Sequence, residues 1–169
     1  MGEICLALER LPGRAGLLRV SRGSVQMRFN GRNKCTLDAN GRIKLPPYMM
    51  FDFGATGSRS VVFYCLPEGC LGIFPMAQWE AYCRQLDSDS DMVLTDSELR
   101  RQRRRIGAMS QSDEISNQGR VTIPASMREF LGFEAGADMV IVGAGSWVEV
   151  WKAGDWDREM RTMGGPEEA

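Results

Sequence analysis

Two arginines stand where their type and spacing could read a nucleic acid. Arg42 follows Gly41 and Arg120 follows Gly119, and the surrounding segments realign on each other at an offset of 78 positions. A guanidinium presents donors in a planar fork that can take O6 and N7 of guanine together. Most other chemistry is missing its reagents. Histidine is absent, which removes Ser-His-Asp and Cys-His nucleophile systems, His-ligated metals and the commonest general base near neutral pH. Acid/base work would fall to Asp, Glu or Cys, yet no acidic pair recurs at equivalent places in the two segments, and no glycine-rich phosphate loop follows a strand. Gly143-Ala144-Gly145 reads as a hairpin turn. No catalytic residue, cofactor or small-molecule substrate is expected.

The cysteines at positions 5, 35, 65, 70 and 83 form an odd set without framework spacing, which points to a reducing cytoplasm. Cys65 and Cys70 could supply half a zinc site, but no second close pair completes it, so no metal centre is expected. Buried or half-buried thiols are the plainer reading.

The repeat organises the chain. Asn40-Gly41-Arg42-Ile43-Lys44-Leu45-Pro46 realigns on Gln118-Gly119-Arg120-Val121-Thr122-Ile123-Pro124, with Met49 on Met127 in the same register. Further on, Leu71 to Phe74 aligns with Val148 to Trp151, and Trp79 falls on Trp156. Each copy reads as a short strand, a tight turn and a second strand of alternating character, as in a hairpin. Because strand side chains alternate, Ile43 and Leu45 face one way while Arg42 and Lys44 face solvent. Val121 and Ile123 likewise oppose Arg120 and Thr122. Pro46 and Pro124 sit where a helix begins. The second helix, Ala125 to Leu131, should stop at Gly132 on a left-handed cap, and the first should be shorter, ending near Gly54. Two β-rich runs follow in each copy, Ser60 to Leu66 with Cys70 to Phe74 and Met139 to Val142 with Trp147 to Trp151. A short helix then carries Trp79 or Trp156 as a core or interface anchor.

Between the copies, Thr95 and Glu98 form a capping box for a helix bearing Arg100, Arg101, Arg103, Arg104 and Arg105. Leu99, Ile106 and Met109 give it an apolar stripe. Five positive charges in six residues call for acidic partners such as Asp87, Asp89 and Asp91, a neighbouring subunit, or phosphate; a solvated, salt-bridged face is the alternative.

Length and charge limit the rest. At 169 residues the chain holds one ordinary domain or two small ones, with 43% hydrophobic and 25% charged residues. A net charge of −1 argues against coating nucleic acid, so DNA binding needs a locally basic face. The longest apolar stretch, Val61 to Trp79, is broken by Pro67 and Glu68, and no membrane span is expected. Five segments follow: 1–26, an expected disordered extension or an overextended start before Met27; 27–92, the first unit; 93–109, the arginine-rich linking helix; 110–160, the second unit; and 161–169, a tail. Arg10, Arg14, Arg19 and Arg22 of the first segment could alternatively form a DNA-contacting arm.

A strand, an Asp-x-x-Gly-Arg turn, an alternating strand, a proline and a helix together resemble the AbrB/SpoVT swapped-hairpin fold. Two such units joined by an arginine-bearing helix are similar to the MraZ family. The likeness runs from Met27-Arg28-Phe29-Asn30-Gly31 through Asp38-Ala39-Asn40-Gly41-Arg42, Phe74-Pro75, Trp79-Glu80 and the second Gly119-Arg120 turn to Val150-Trp151 and Trp156. It implies an α+β, β-rich fold of the double-split β-barrel type. It further implies a bacterial transcriptional regulator that forms a ring-like homo-oligomer and binds repeated G-rich sites on double-stranded DNA upstream of the division and cell-wall gene cluster, in the cytoplasm at the nucleoid. Arg42 and Arg120 then contact DNA, with Lys44 on phosphate and Thr122 beside them. Asp38, Asn40, Gly41, Ser116 and Gly119 shape the turns.

One departure concerns the second turn, where Ser116 stands in place of the family's acidic residue; serine can cap a turn but cannot pair ionically with Arg120. Bracing of its own turn is the alternative role for each arginine. The competing function is an AbrB-like antitoxin or interaction module. Its partner-seeking tail would have to fit in Gly164 to Ala169, which places that reading second.

Overall fold

The computed structural model describes residues 28–87 and 96–164. The first copy contributes β1 (Arg32–Thr36), β2 (Arg42–Lys44), α1 (Pro47–Gly54), β3 (Ser60–Cys65), β4 (Leu71–Pro75) and α2 (Met76–Asp87). After the linking helix α3 (Ser97–Ala108) the second copy repeats the order with β5 (Ser110–Glu114), β6 (Arg120–Thr122), α4 (Ala125–Leu131), β7 (Asp138–Gly143), β8 (Val148–Lys152) and α5 (Ala153–Thr162). The fold is α+β and β-rich, as the resemblance implies.

The strands on either side of each turn do not pair with each other, contrary to the hairpin reading. They exchange between copies. β1 pairs antiparallel with β7 and β5 with β3, giving a six-stranded sheet in the order β1-β7-β8-β4-β3-β5. β2 and β6 pair with each other as a separate two-stranded ribbon. A two-stranded hairpin alone is marginal in water. Exchange gives every short strand a partner in a shared structure. The loops lock it in the same reciprocal way: Leu45 N donates to Gly119 O at 2.8 Å and Ile123 N to Gly41 O at 2.8 Å.

The core is shared too. Leu37, Ile43, Leu45, Met49 and Phe53 bury against Ile115, Val121, Ile123, Met127 and Leu131 in one cluster, so neither copy closes its interior alone. Each such apolar side chain contributes roughly 1.5–3 kcal/mol by leaving water.

The helices start as the prolines dictate, with Pro46 and Pro124 as N-caps. Gly132, at φ 63°, ends α4 in the left-handed conformation. The first helix is not the shorter one: α1 has 8 residues and α4 has 7. α1 does end at Gly54, as expected, but on a right-handed cap, with Ala55 at φ −69°. The cap of α3 is Asp96, whose carboxylate accepts from the backbone N–H of Glu98 and Leu99; the expected Thr95 lies outside the described residues. Asp and Thr both serve at this position, and the start moves by one residue.

Both matched tryptophans are anchors. Trp156 is buried edge-on to Trp151 at 5.8 Å, while half-buried Trp79 lies 5.5 Å from Tyr64 and 5.4 Å from Phe74. Between these clusters Glu149 accepts from the indole N–H of Trp147 and of Trp151, each at 3.0 Å. Burial raises its carboxyl above the usual range, against the lowering effect of those two bonds.

Cys65 and Cys70 are buried and Cys35 and Cys83 half-buried, all as free thiols. Desolvation pushes the Cys35 thiol up to about 11, and it raises Cys65 and Cys70 as well, which makes them poor nucleophiles. Among the described residues no group of three His, Cys, Asp or Glu side chains is placed to hold a metal. No helix among them is long and apolar enough to cross a membrane.

Candidate nucleic-acid interface

The ribbon assembles from both copies what sequence spacing placed in each. Arg42 stands opposite Thr122, Ile43 opposite Val121 and Lys44 opposite Arg120. Ile43 and Val121 are each 1% exposed, so the underside of the ribbon is part of the core. Alternation therefore sends Arg42, Lys44, Arg120 and Thr122 to the opposite, outer face, where Lys44, Arg120 and Thr122 are exposed and Arg42 is half-exposed. A two-stranded ribbon with a cationic outer face has dimensions that the DNA major groove admits.

Each end of the ribbon is a four-residue turn. Gly41 N donates to Asp38 O at 3.0 Å, and Gly119 N to Ser116 O at 2.9 Å. The closing bonds also match: Asp38 N to Arg42 O at 2.9 Å and Ser116 N to Arg120 O at 3.0 Å. Gly41 and Gly119 hold φ of 72° and 75°, a region costly for any residue with a Cβ. Ser116 thus keeps the turn. Its hydroxyl accepts from Arg120 N at 3.0 Å, the same bond that Asp38 Oδ1 receives from Arg42 N at 2.9 Å.

The side chains differ. Asp38 Oδ1 also accepts from Asn40 N at 2.8 Å, and Oδ2 accepts from Arg42 Nε at 3.0 Å. The bond from the Arg42 backbone, followed by those from its side chain and from Asn40, holds the Asp38 carboxyl below the usual aspartate range. The bracing alternative is therefore realised for Arg42. It engages Nε and turns the guanidinium without using that bond on the two terminal nitrogens. Arg120 has no such brace, and among the described residues its side chain has no partner.

Sequence reasoning did not find what lies beneath the turns. Each turn is covered by the helix of the other copy. A Cβ on Gly41 would lie 2.5 Å from Arg128 Nε, and one on Gly119 would lie 3.0 Å from Met50 Cγ. Arg128 is fixed by a 3.1 Å bond from its Nε to Ile123 O. Arg59 reaches the second turn, donating to Asn117 Oδ1 and lying 3.8 Å from Glu114. Met50 and Arg128 are repeat equivalents, so their alignment was the available signal, but contact across copies leaves no local pattern.

The arginines of α3 are mostly engaged within the chain. Arg103 donates to Leu86 O at 3.0 Å, Arg105 to Cys65 O at 3.2 Å, and Arg101 pairs with Glu98 at 3.6 Å. Arg100 is half-buried and has a partner of its own. Arg104 is exposed and without a partner among the described residues. Ile106 packs with Tyr64 and Phe74, with Met109 against them, so these two residues of the expected stripe face inward, while Leu99 is half-buried outside that cluster. Asp89 and Asp91 lie outside the described residues.

Two exchanged hairpins, a shared core and a cationic ribbon between the copies define a duplicated swapped-hairpin protein. A family model described as "MraZ protein, putative antitoxin-like" matches residues 28–103 and 110–163. The chain is similar to the transcriptional regulator MraZ of Nitrosomonas europaea, at 28% identity over 134 residues, 79% of this chain and 87% of that one. It is also similar to the protein of that name from Treponema pallidum (strain Nichols), 32% identical over 123 residues, 73% and 78% of the two chains. The namesake of Thermus thermophilus is 31% identical over 128 residues, 75% and 83%. The chain belongs to the MraZ family, and it is a MraZ-type regulator rather than an enzyme.

Proposed function

We propose that this chain regulates transcription by placing the β2–β6 ribbon in the major groove of repeated promoter sites, in the cytoplasm at the nucleoid. The observation that carries the reading is the register of the ribbon, which gathers Arg42, Lys44, Arg120 and Thr122 from two distant segments onto one outer face. Arg42 and Arg120 contact base edges or phosphate, Lys44 contacts phosphate, and Thr122 adds a hydroxyl beside Arg42. The target is the division and cell-wall gene cluster, including the segment upstream of the protein's own gene.

One ribbon offers few cations, so affinity comes from several subunits of a ring-like homo-oligomer on successive repeats. Exposed apolar side chains support self-association: Tyr48 and Phe51 on α1 are 42% and 77% exposed, and Phe130 on α4 is 52%. The test is binding of the purified full chain to the DNA upstream of its gene, against a shuffled duplex, across a salt series. Preference for the native segment, lost on a double Arg42→Ala/Arg120→Ala change, is the expected result. Absence of binding at low salt, where charge is least screened, overturns the reading.

A further inference from the structure

The two ends of the ribbon carry different charge, and the difference follows from two substitutions between the copies. Ser116 replaces the equivalent of Asp38, and Thr122 stands at the equivalent of Lys44. Antiparallel pairing brings both to bear on the same polarity, because it sets Lys44 of the first copy opposite Arg120 of the second. At one end, Lys44 and Arg120 are adjacent cations with no carboxylate partner among the described residues. At the other, Arg42 is paired with Asp38 at 3.0 Å and faces neutral Thr122. The neighbouring cations beneath the turns do not cancel this. Arg128, under the Gly41 turn, keeps its charge while bonded to the neutral Ile123 carbonyl and so narrows the contrast without reversing it, whereas Arg59, at the second turn, lies against Glu114.

We infer that the ribbon is functionally polarised: its Asp38–Arg42 end reads base edges, and its Lys44–Arg120 end holds phosphate. The inference rests on the DNA-binding reading above and assigns Asp38 as a positioning residue for specificity. Two physical arguments support the division of labour. A guanidinium held at Nε has lost orientational freedom before it meets a base, so less is lost on forming a bidentate contact. Its paired carboxylate also weakens attraction to a polyanion at that end. Two adjacent unpaired cations have the opposite character: strong, orientation-tolerant attraction to phosphate, released by salt. Like charges directly opposite on a ribbon repel, and a phosphate between Lys44 and Arg120 relieves that repulsion. Polarity of this kind sets each ribbon on its site in one direction.

The experiment measures, for the full chain, the ratio of affinities for the upstream duplex and a shuffled duplex, and the dependence of each on salt. Arg42→Lys keeps charge but loses the fork, and it should cut the ratio at least about fivefold while leaving the salt slope unchanged. Arg120→Ala should weaken both duplexes alike and reduce the slope by about 0.9 for each subunit in contact. Ser116→Asp gives Arg120 a brace like that of Arg42, and should lower the slope without lowering the ratio. Asp38→Ser should lower the ratio while Arg42 remains. If Arg42→Lys and Arg120→Ala change ratio and slope alike, or if Ser116→Asp leaves the slope untouched, the polarity is wrong while the DNA-binding reading stands. A wild-type chain that binds neither duplex at low salt overturns both.

Discussion

The two turns at the ends of the ribbon have the same backbone and different electrostatics. Asp38 to Arg42 and Ser116 to Arg120 close with the same pair of backbone bonds, put glycine at the same positive φ and cap the arginine N–H with a side-chain oxygen. What the serine lacks is the second carboxylate oxygen and the charge that fix Arg42 through Nε. Turn geometry needs only an acceptor at that position. Arginine orientation needs a carboxylate, so the two properties separate when one copy loses it.

The largest effects should fall on what the copies share. Leu45→Ala and Ile123→Ala each empty an equivalent, fully buried site beneath the ribbon and should cost about 2–5 kcal/mol of unfolding free energy. Denaturant titrations that differ by more than about 2 kcal/mol between the two would break the symmetry of the core.

A smaller and unequal pair is expected at the glycines. Gly41→Ala and Gly119→Ala both strain a left-handed backbone by about 1–2 kcal/mol. The first must also dislodge Arg128 from Ile123 O, whereas the second meets a flexible Met50 side chain. Gly41→Ala should be the more destabilising by about 1 kcal/mol, the order of one such hydrogen bond; the reverse order in thermal unfolding would argue against Arg128 as the strut of the first turn.

Capping should give a still smaller contrast. Asp38→Ala removes an acceptor of three bonds and Ser116→Ala an acceptor of one, so the first should lower the melting temperature more than the second. Asp38 is also lowered in its folded state. Its contribution is therefore fully present above the ordinary aspartate value of about 3.9 and is lost as pH falls through the lower, folded value. Melting temperatures of wild type and Asp38→Ser should converge below pH 4 or so, while those of wild type and Ser116→Ala keep a constant gap.

Much of this was legible in the sequence, and the rest for physical reasons was not. Alternation around Ile43 and Val121 fixes which side chains face out, whatever strand lies alongside. Pro46, Pro124 and Gly132 mark helix ends because their backbone restrictions act locally. The exchange of strands did not show locally, since a strand followed by Asn-Gly suggests a hairpin whether its partner is near or distant in the chain; the family likeness supplied it. The one-residue shift from Thr95 to Asp96 as cap of α3 reflects two adjacent residues that can do the same job. The engagement of Arg103 and Arg105 with backbone carbonyls was hidden for a related reason. A charge run reads the same whether its members reach water, phosphate or a carbonyl of a distant segment.

That run leaves two cationic surfaces for DNA to choose between, the ribbon and α3. A photocrosslinking residue placed at Thr122, on the ribbon, or at Arg104, the exposed member of the α3 run without a partner among the described residues, decides between them with the full chain and the upstream duplex. The structure predicts crosslinks to DNA from position 122 and few from position 104. Strong crosslinking from 104 with none from 122 would contradict the ribbon as the DNA-binding surface.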